Sequence, residues 1–125
     1  MAALNHIIIP ARDKDRSAEF LADILGAKAE PQWGPFRPVR TSNGVTLDFV
    51  TSTDVRTQHY AFLVDDAEFD AAFERLKQAG VVYYADHDKS GRGEINHYWG
   101  GRGFYFEDPN GHWLELLTRP YGSLK

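Results

Sequence analysis

The chain has 125 residues, of which 42% are hydrophobic and 26% charged, so it is long enough for one domain with a real core. Its net charge of −4, with no Lys/Arg run, excludes the basic face that nucleic-acid binding requires. No cysteine is present, which excludes disulfides and thiolate metal sites, and no stretch is apolar for long enough to span a bilayer.

The first half predicts a strand, a helix and then two or three strands. The β-branched run "HIIIP" reads as a strand, and "DKDRSAEFLADILGA" as a helix that Asp13 or Asp15 caps and Gly26 ends. The proline-rich segment 30–42 allows only short or edge strands, because proline cannot donate to a ladder. Asn43-Gly44 then predicts a hairpin turn into "VTLDFV", whose residues alternate between two faces.

The second half repeats this plan. "HYAFLV" predicts a strand, and "DDAEFDAAFERLKQAG" a helix with Asp65 and Glu68 spaced as a capping box and Gly80 at its end. "VVYYA" predicts another strand. After a glycine-rich loop over 86–103, "FYFED" and "HWLELLT" predict two strands joined by the turn 108–111.

The two halves align as an internal repeat. His6 and His59 each open an apolar strand, and "TLDF" corresponds to "WLEL", which pairs Asp48 with Glu115. A single βαβββ half has a one-sided sheet and cannot close a core, so the halves should pair. We therefore predict one α+β domain over 1–125, with module 1 at about 1–54, module 2 at about 55–121, and a tail at 122–125.

The repeat places His6, Asp48, His59 and Glu115 at equivalent positions. Either histidine alone would read as a strand-edge histidine with satisfied hydrogen bonds, but a matched pair with matched carboxylates favours a metal site. Two histidines and one carboxylate with open positions suit Fe(II) oxygen chemistry, and equally Zn(II) or Mn(II) acting as a Lewis acid.

These features resemble the vicinal oxygen chelate superfamily, which includes glyoxalase I, extradiol dioxygenases, fosfomycin-resistance enzymes and bleomycin-binding proteins. The paired plan, the histidine that opens each half and the ending "YFEDPNGHWLEL" carry the resemblance over essentially the whole chain. It implies two modules paired into a cup-shaped, partly closed mixed sheet with the helices outside. It also implies that His6, His59 and Glu115 bind a divalent metal ion. Asp48 falls where glyoxalase I has a fourth carboxylate, although it is shorter than the expected glutamate.

The C-terminal half also resembles the extradiol dioxygenase signature. "INHYWGGRGFYFEDPNGHWLE" supplies each element of that signature, which implies catalytic roles over the metal for His97 and Tyr105. The chain departs from the ring-cleaving enzymes in having no histidine between residues 7 and 58. His97 fits an exposed loop histidine equally well, and His112, beside the turn, is predicted to be structural.

Three functions follow as alternatives. The first is an enzyme that acts on a small bidentate oxygen substrate, such as an extradiol dioxygenase, with Fe(II) or Mn(II) favoured over Zn(II) or Ni(II). The second is a glyoxalase-I-like isomerase or thiol transferase, in which Asp48 could be the base, although only scattered arginines could bind glutathione carboxylates. The third is a metal-free protein that sequesters a small molecule. We expect a cytoplasmic homodimer with a small-molecule partner and neither a nucleic-acid nor a membrane partner.

Overall fold

The computed structural model describes residues 1–123 and confirms the α+β class, with two helices and two mixed sheets. In chain order the elements are β1 (His6–Ala11), α1 (Lys14–Leu25), β2 (Phe36–Arg40), β3 (Thr46–Thr51), β4 (His59–Leu63), α2 (Asp66–Gln78), β5 (Tyr83–Tyr84), the 3₁₀ turn Tyr98–Gly100, β6 (Gly103–Glu107) and β7 (Trp113–Leu117). The chain divides into two compact units, residues 1–56 and residues from 57 onward. That both units belong to one domain and pair into a cup stays a prediction. In the predicted tail, 122–125, the first two residues belong to no helix or strand, and the last two lie outside the described residues.

The first unit is a three-stranded sheet in the order β1-β3-β2, with β1 parallel and β2 antiparallel to β3. The Asp13 side chain caps α1 by accepting from the backbone N–H groups of Asp15 and Arg16, and Gly26 ends it in the left-handed conformation. The predicted βαβββ plan has one strand too many here. Segment 27–35 contributes only isolated bridges, such as Ala29 to Val39, because its prolines remove ladder donors.

The second unit is a four-stranded sheet in the order β4-β7-β6-β5, which confirms the βαβββ plan for this half. Asp65 and Glu68 form the predicted capping box at the start of α2. Phe69 of α2 is fully buried and packs edge-on against Phe104 of β6, with ring centroids 5.3 Å apart. The helix therefore covers one face of this sheet and leaves the other face for polar groups.

The strand register shows that the repeat is structural. In the first unit Ile8, two residues after His6, lies opposite Asp48. In the second unit Ala61, two residues after His59, lies opposite Glu115. Each half thus carries its histidine and its carboxylate on the same sheet face, two residues out of register, because side chains alternate with period two.

Among the described residues, the helices are too short and too polar to cross a membrane. Each helix buries one apolar stripe, which includes Leu21 and Ile24 in α1 and Ala72 and Leu76 in α2.

Replacing the capping residue of α2, Asp65→Ala, should lower the free energy of unfolding by about 1 kcal/mol, because the N–H of Glu68 loses its acceptor. Urea denaturation measures the change. Glu74→Ala on the same helix is the control, since its exposed pair with Lys77 should contribute little. Equal losses in the two variants would contradict the capping role.

Candidate metal and substrate site

The second unit brings three of the predicted site residues together on the open face of its sheet. Ala61, Glu115 and Tyr105 lie side by side across β4, β7 and β6, and His59 stands at the start of β4. His59 Nε2 lies 3.1 Å from Glu115 Oε1, and the imidazole and Tyr105 rings have centroids 5.9 Å apart. The histidine side chain is 47% exposed and the carboxylate 14%, so the pair is open on the imidazole side.

The spacing of the His59 and Glu115 side chains fits two ligands of one metal ion. Two ligand atoms, each about 2.1 Å from one ion and at right angles to each other, lie about 3.0 Å apart. The observed separation of 3.1 Å matches that spacing. Without an ion, the same separation suits a hydrogen bond from Nε2–H to the carboxylate. A metal would therefore displace one proton and then find both donors in place.

Tyr105 is the immediate neighbour of this pair. It is buried, and it lies directly opposite Glu115 in the sheet. Burial raises the pKa of Tyr105 well above its usual range, and the negative charge of the neighbouring Glu115 carboxylate raises it further. The phenol therefore stays protonated at neutral pH and is available as a hydrogen-bond donor.

An aromatic wall, consisting of Trp113, Tyr105 and Tyr84, lies beside the pair and was not predicted. The Trp113 and Tyr105 rings stack at 5.7 Å with an interplanar angle of 16°, and Tyr84 lies 5.8 Å from Trp113. The Nε1 of Trp113 is buried with no hydrogen-bond partner among the described residues. The signal was present in the sequence, because Trp113 precedes Glu115 by two residues on a strand and must share its face.

The first unit holds the other two residues of the predicted set. His6 Nδ1 lies 2.7 Å from Asn5 Oδ1, which orients the ring and leaves Nε2 for another partner. Asp48 is 4% exposed, between Ile8 and Pro38 in the sheet, and its Oδ1 has no partner in the described chain. A buried carboxylate oxygen without a partner is costly, so this arrangement is typical of a functional group.

His97 is exposed and precedes the 3₁₀ turn Tyr98–Gly100. Within residues 1–123 it forms no hydrogen bond or ring contact with His59, Glu115 or Tyr105. Its neighbour Tyr98 instead donates a hydrogen bond of 2.6 Å to Asp86, which ties the two arms of the glycine-rich loop together. The catalytic role of His97 therefore stays a prediction.

Three arginines that could bind the carboxylates of a thiol such as glutathione, Arg37, Arg40 and Arg102, each pair with a carboxylate. Arg37 contacts Asp15 and Glu19, both at 3.1 Å. Arg102 contacts Asp66 at 2.9 Å and Asp70 at 2.7 Å, which anchors β6 to α2. Arg40, the last residue of β2, pairs with Glu30 at 3.4 Å.

Across the described residues, His, Asp and Glu side chains form no group of three that could hold a metal ion. His59 and Glu115 are the two predicted ligands that the structure places in contact, and the assignment of His6 as a third ligand stays a prediction.

Comparison with known proteins identifies the family. The chain belongs to the Glyoxalase/Bleomycin resistance protein/Dioxygenase superfamily, whose family model matches residues 3–116. This confirms the resemblance that the repeat and the C-terminal motif indicated.

Three relatives show the range within the family. The oxidase ChaP-H2 has a solved structure that is 58% identical, with a TM-score of 0.95 over 98% of this chain and 97% of that chain. The glutathione transferase FosA of Serratia marcescens is 31% identical over 93% of this chain and 80% of its own length. The metallothiol transferase FosB of Lysinibacillus sphaericus is 25% identical over 93% of this chain and 82% of its own length.

Tyr105→Phe should change how stability depends on alkaline pH. In the folded protein the pKa of Tyr105 is raised above the ordinary value of 10.0, so above that pH the unfolded chain binds fewer protons than the folded one. The contribution of Tyr105 is therefore fully present below about pH 10 and is lost as the pH rises further.

The free energy of unfolding should accordingly fall less steeply above about pH 10 in Tyr105→Phe than in the unchanged protein. Urea denaturation over a pH series measures the slope. Tyr121→Phe, at a tyrosine that is 82% exposed, is the matched control. Identical slopes for Tyr105→Phe and the unchanged protein would contradict the raised pKa.

Proposed function

We propose that this protein is a metal-dependent oxidase that uses dioxygen on a small substrate presenting two adjacent oxygens, as a catechol does. The observation that carries the proposal is the His59–Glu115 pair, whose ligand atoms stand 3.1 Å apart beside a protonated Tyr105. The 58% identity to the oxidase ChaP-H2 supports oxygen chemistry over the other activities in the family.

His59 and Glu115 would hold the ion, and we propose His6 as the remaining protein ligand because it occupies in β1 the place that His59 occupies in β4. A divalent ion bound there would act as a Lewis acid on which two substrate oxygens chelate, and Fe(II) would add redox chemistry with dioxygen. The relatives named metallothiol transferases support a divalent metal without indicating which. Fe(II) or Mn(II) suits the proposed reaction.

The remaining residues would donate or accept protons and orient the substrate. Tyr105 keeps its proton and can donate it in a hydrogen bond to a substrate oxygen as charge develops there. The unpartnered Oδ1 of Asp48 can accept the proton that a substrate hydroxyl loses on binding. The aromatic wall offers flat apolar surface against which an aromatic ring can stack.

A thiol transferase is the second candidate, because FosA is 31% identical over most of both chains. This activity would require cationic groups for a thiol cosubstrate such as glutathione, whose carboxylates are anionic. Arg37, Arg40 and Arg102 are each already paired with a carboxylate. We therefore rank transfer to a thiol below oxidation, and sequestration without a metal below both.

Protein purified without oxygen should contain about one equivalent of a divalent metal, and His59→Ala and Glu115→Gln should each lose most of it, since each removes one ligand. Elemental analysis gives the content. His87→Ala is the matched control, because His87 is exposed and lies in the glycine-rich loop. Equal metal contents in all four proteins would contradict the proposed ligands.

The iron-loaded protein should consume oxygen in the presence of catechols, and His59→Ala should lower the rate at least tenfold by removing a ligand. An oxygen electrode measures the rate, and His87→Ala should match the unchanged protein. A parallel assay follows the loss of glutathione in the presence of fosfomycin. Loss of glutathione without oxygen uptake would favour the transferase, and binding of aromatic compounds unaffected by His59→Ala would favour sequestration.

A further inference from the structure

His112 is the most deeply buried histidine of the second unit, at 1% exposure, although its sequence position beside a turn predicted only a structural role. Its backbone is fixed at both polar groups. The N–H donates to Asp108 Oδ1 at 2.9 Å, and the carbonyl accepts from the Asp108 N–H at 3.0 Å. The imidazole also packs edge-on to the Tyr60 ring, with centroids 5.6 Å apart. The ring is thus held in one orientation.

The imidazole reaches the residue immediately before the proposed ligand His59. Its Nδ1 accepts a hydrogen bond of 3.0 Å from the backbone N–H of Gln58, across 54 residues of sequence. The next residue, Trp113, donates its own N–H to the Gln58 carbonyl at 2.8 Å. The consecutive residues His112 and Trp113 therefore hold both polar groups of the Gln58 backbone.

The hydrogen bond from Gln58 matters because of where the strand begins. The β4–β7 ladder starts with the pairing of His59 and Trp113, and β4 is the edge strand of its sheet. The first residue of an edge strand is the part of a sheet that opens most easily. An anchored Gln58 holds the backbone of His59 in place before the ladder begins.

We propose that His112 is a positioning residue for His59: through the Gln58 amide it fixes the imidazole against Glu115 in the geometry that binds the metal. The inference rests on the proposed function, because it assigns His59 as a ligand. It predicts that His112 acts through its Nδ1 acceptor, beyond its contribution to the packed core.

Two substitutions separate the acceptor from the packing. In His112→Asn the amide oxygen can occupy the place of Nδ1, whereas in His112→Gln the longer side chain carries its amide to the place of Nε2. His112→Asn should therefore keep the bond to Gln58 and His112→Gln should lose it. Circular dichroism and urea denaturation establish that both variants are folded under the conditions of the test.

The first measurement is cobalt(II) binding by isothermal titration calorimetry. We expect His112→Gln to weaken binding by about 10–100-fold and His112→Asn to remain close to the unchanged protein. Leu76→Val, a substitution in the buried face of α2, controls for general loss of stability and should leave the affinity unchanged. Equal affinities for His112→Gln and the unchanged protein, or equal losses for the Gln and Asn variants, would overturn the proposal.

The second measurement is amide hydrogen exchange at Gln58 in the metal-free protein, which tests the anchor without any bound ion. Exchange should be faster in His112→Gln and unchanged in His112→Asn. If the unchanged protein and His59→Ala bound cobalt equally, the proposed ligand set would fail while Gln58 exchange still reported on the anchor. If Gln58 exchange were the same in all variants, the positioning role of His112 would fail even with the ligand set intact.

Discussion

The parallel pairing between the first and the last strand of each half is the constraint on which the rest of the structure depends. Parallel strands cannot be joined by a tight turn, so each pair needs a long connection, which runs through α1 and β2 in the first half and through α2, β5 and β6 in the second. The pairing brings His59 and Glu115, 56 residues apart in sequence, onto one sheet face. The pairing also brings His6 and Asp48 onto one sheet face. The topology therefore determines which candidate site residues share a face.

Much of the fold could be predicted because its signals are local. The caps at Asp13 and Asp65, the turn at Asn43-Gly44 and the strand that His59 opens each depend on a few adjacent residues. The first half has two strands after its helix, the lower of the two numbers that the sequence allowed, because prolines in segment 27–35 prevent the further strand that the repeat suggested. The local constraint prevailed over the repeat symmetry.

The candidate site was predictable only in part, and the reason is physical. Alternation within each strand allowed Glu115 and Tyr105 to share a face, which the register between β6 and β7 provides, and the same rule places Trp113 on the face of Glu115. The bond between His112 and Gln58 could not be predicted, since it depends on how β4 begins beside the final turn. Sequence spacing gives the face of a side chain but not the hydrogen-bond partner that another segment brings to it.

The sheet faces that carry the histidines of the repeat also contain buried polar atoms without hydrogen-bond partners among the described residues. Asp48 Oδ1 and Trp113 Nε1 are buried without partners among the described residues, and each such group costs about 1–3 kcal/mol. Both lie on the face that also carries a histidine of the repeat. Polar groups left unsatisfied on a buried surface are available to a ligand that can complete their hydrogen bonds.

The distribution of charge then argues for the kind of ligand. Three arginines that could attract an anionic cosubstrate, Arg37, Arg40 and Arg102, are each paired with a carboxylate. The surface beside the His59–Glu115 pair is instead formed by stacked rings and a phenol that keeps its proton. Such a surface favours a neutral, flat molecule whose hydroxyl groups provide the polar contacts. This surface is consistent with the catechol-type substrate proposed above, whereas the anionic groups of a charged tripeptide thiol would compete with the carboxylates already paired with Arg37, Arg40 and Arg102.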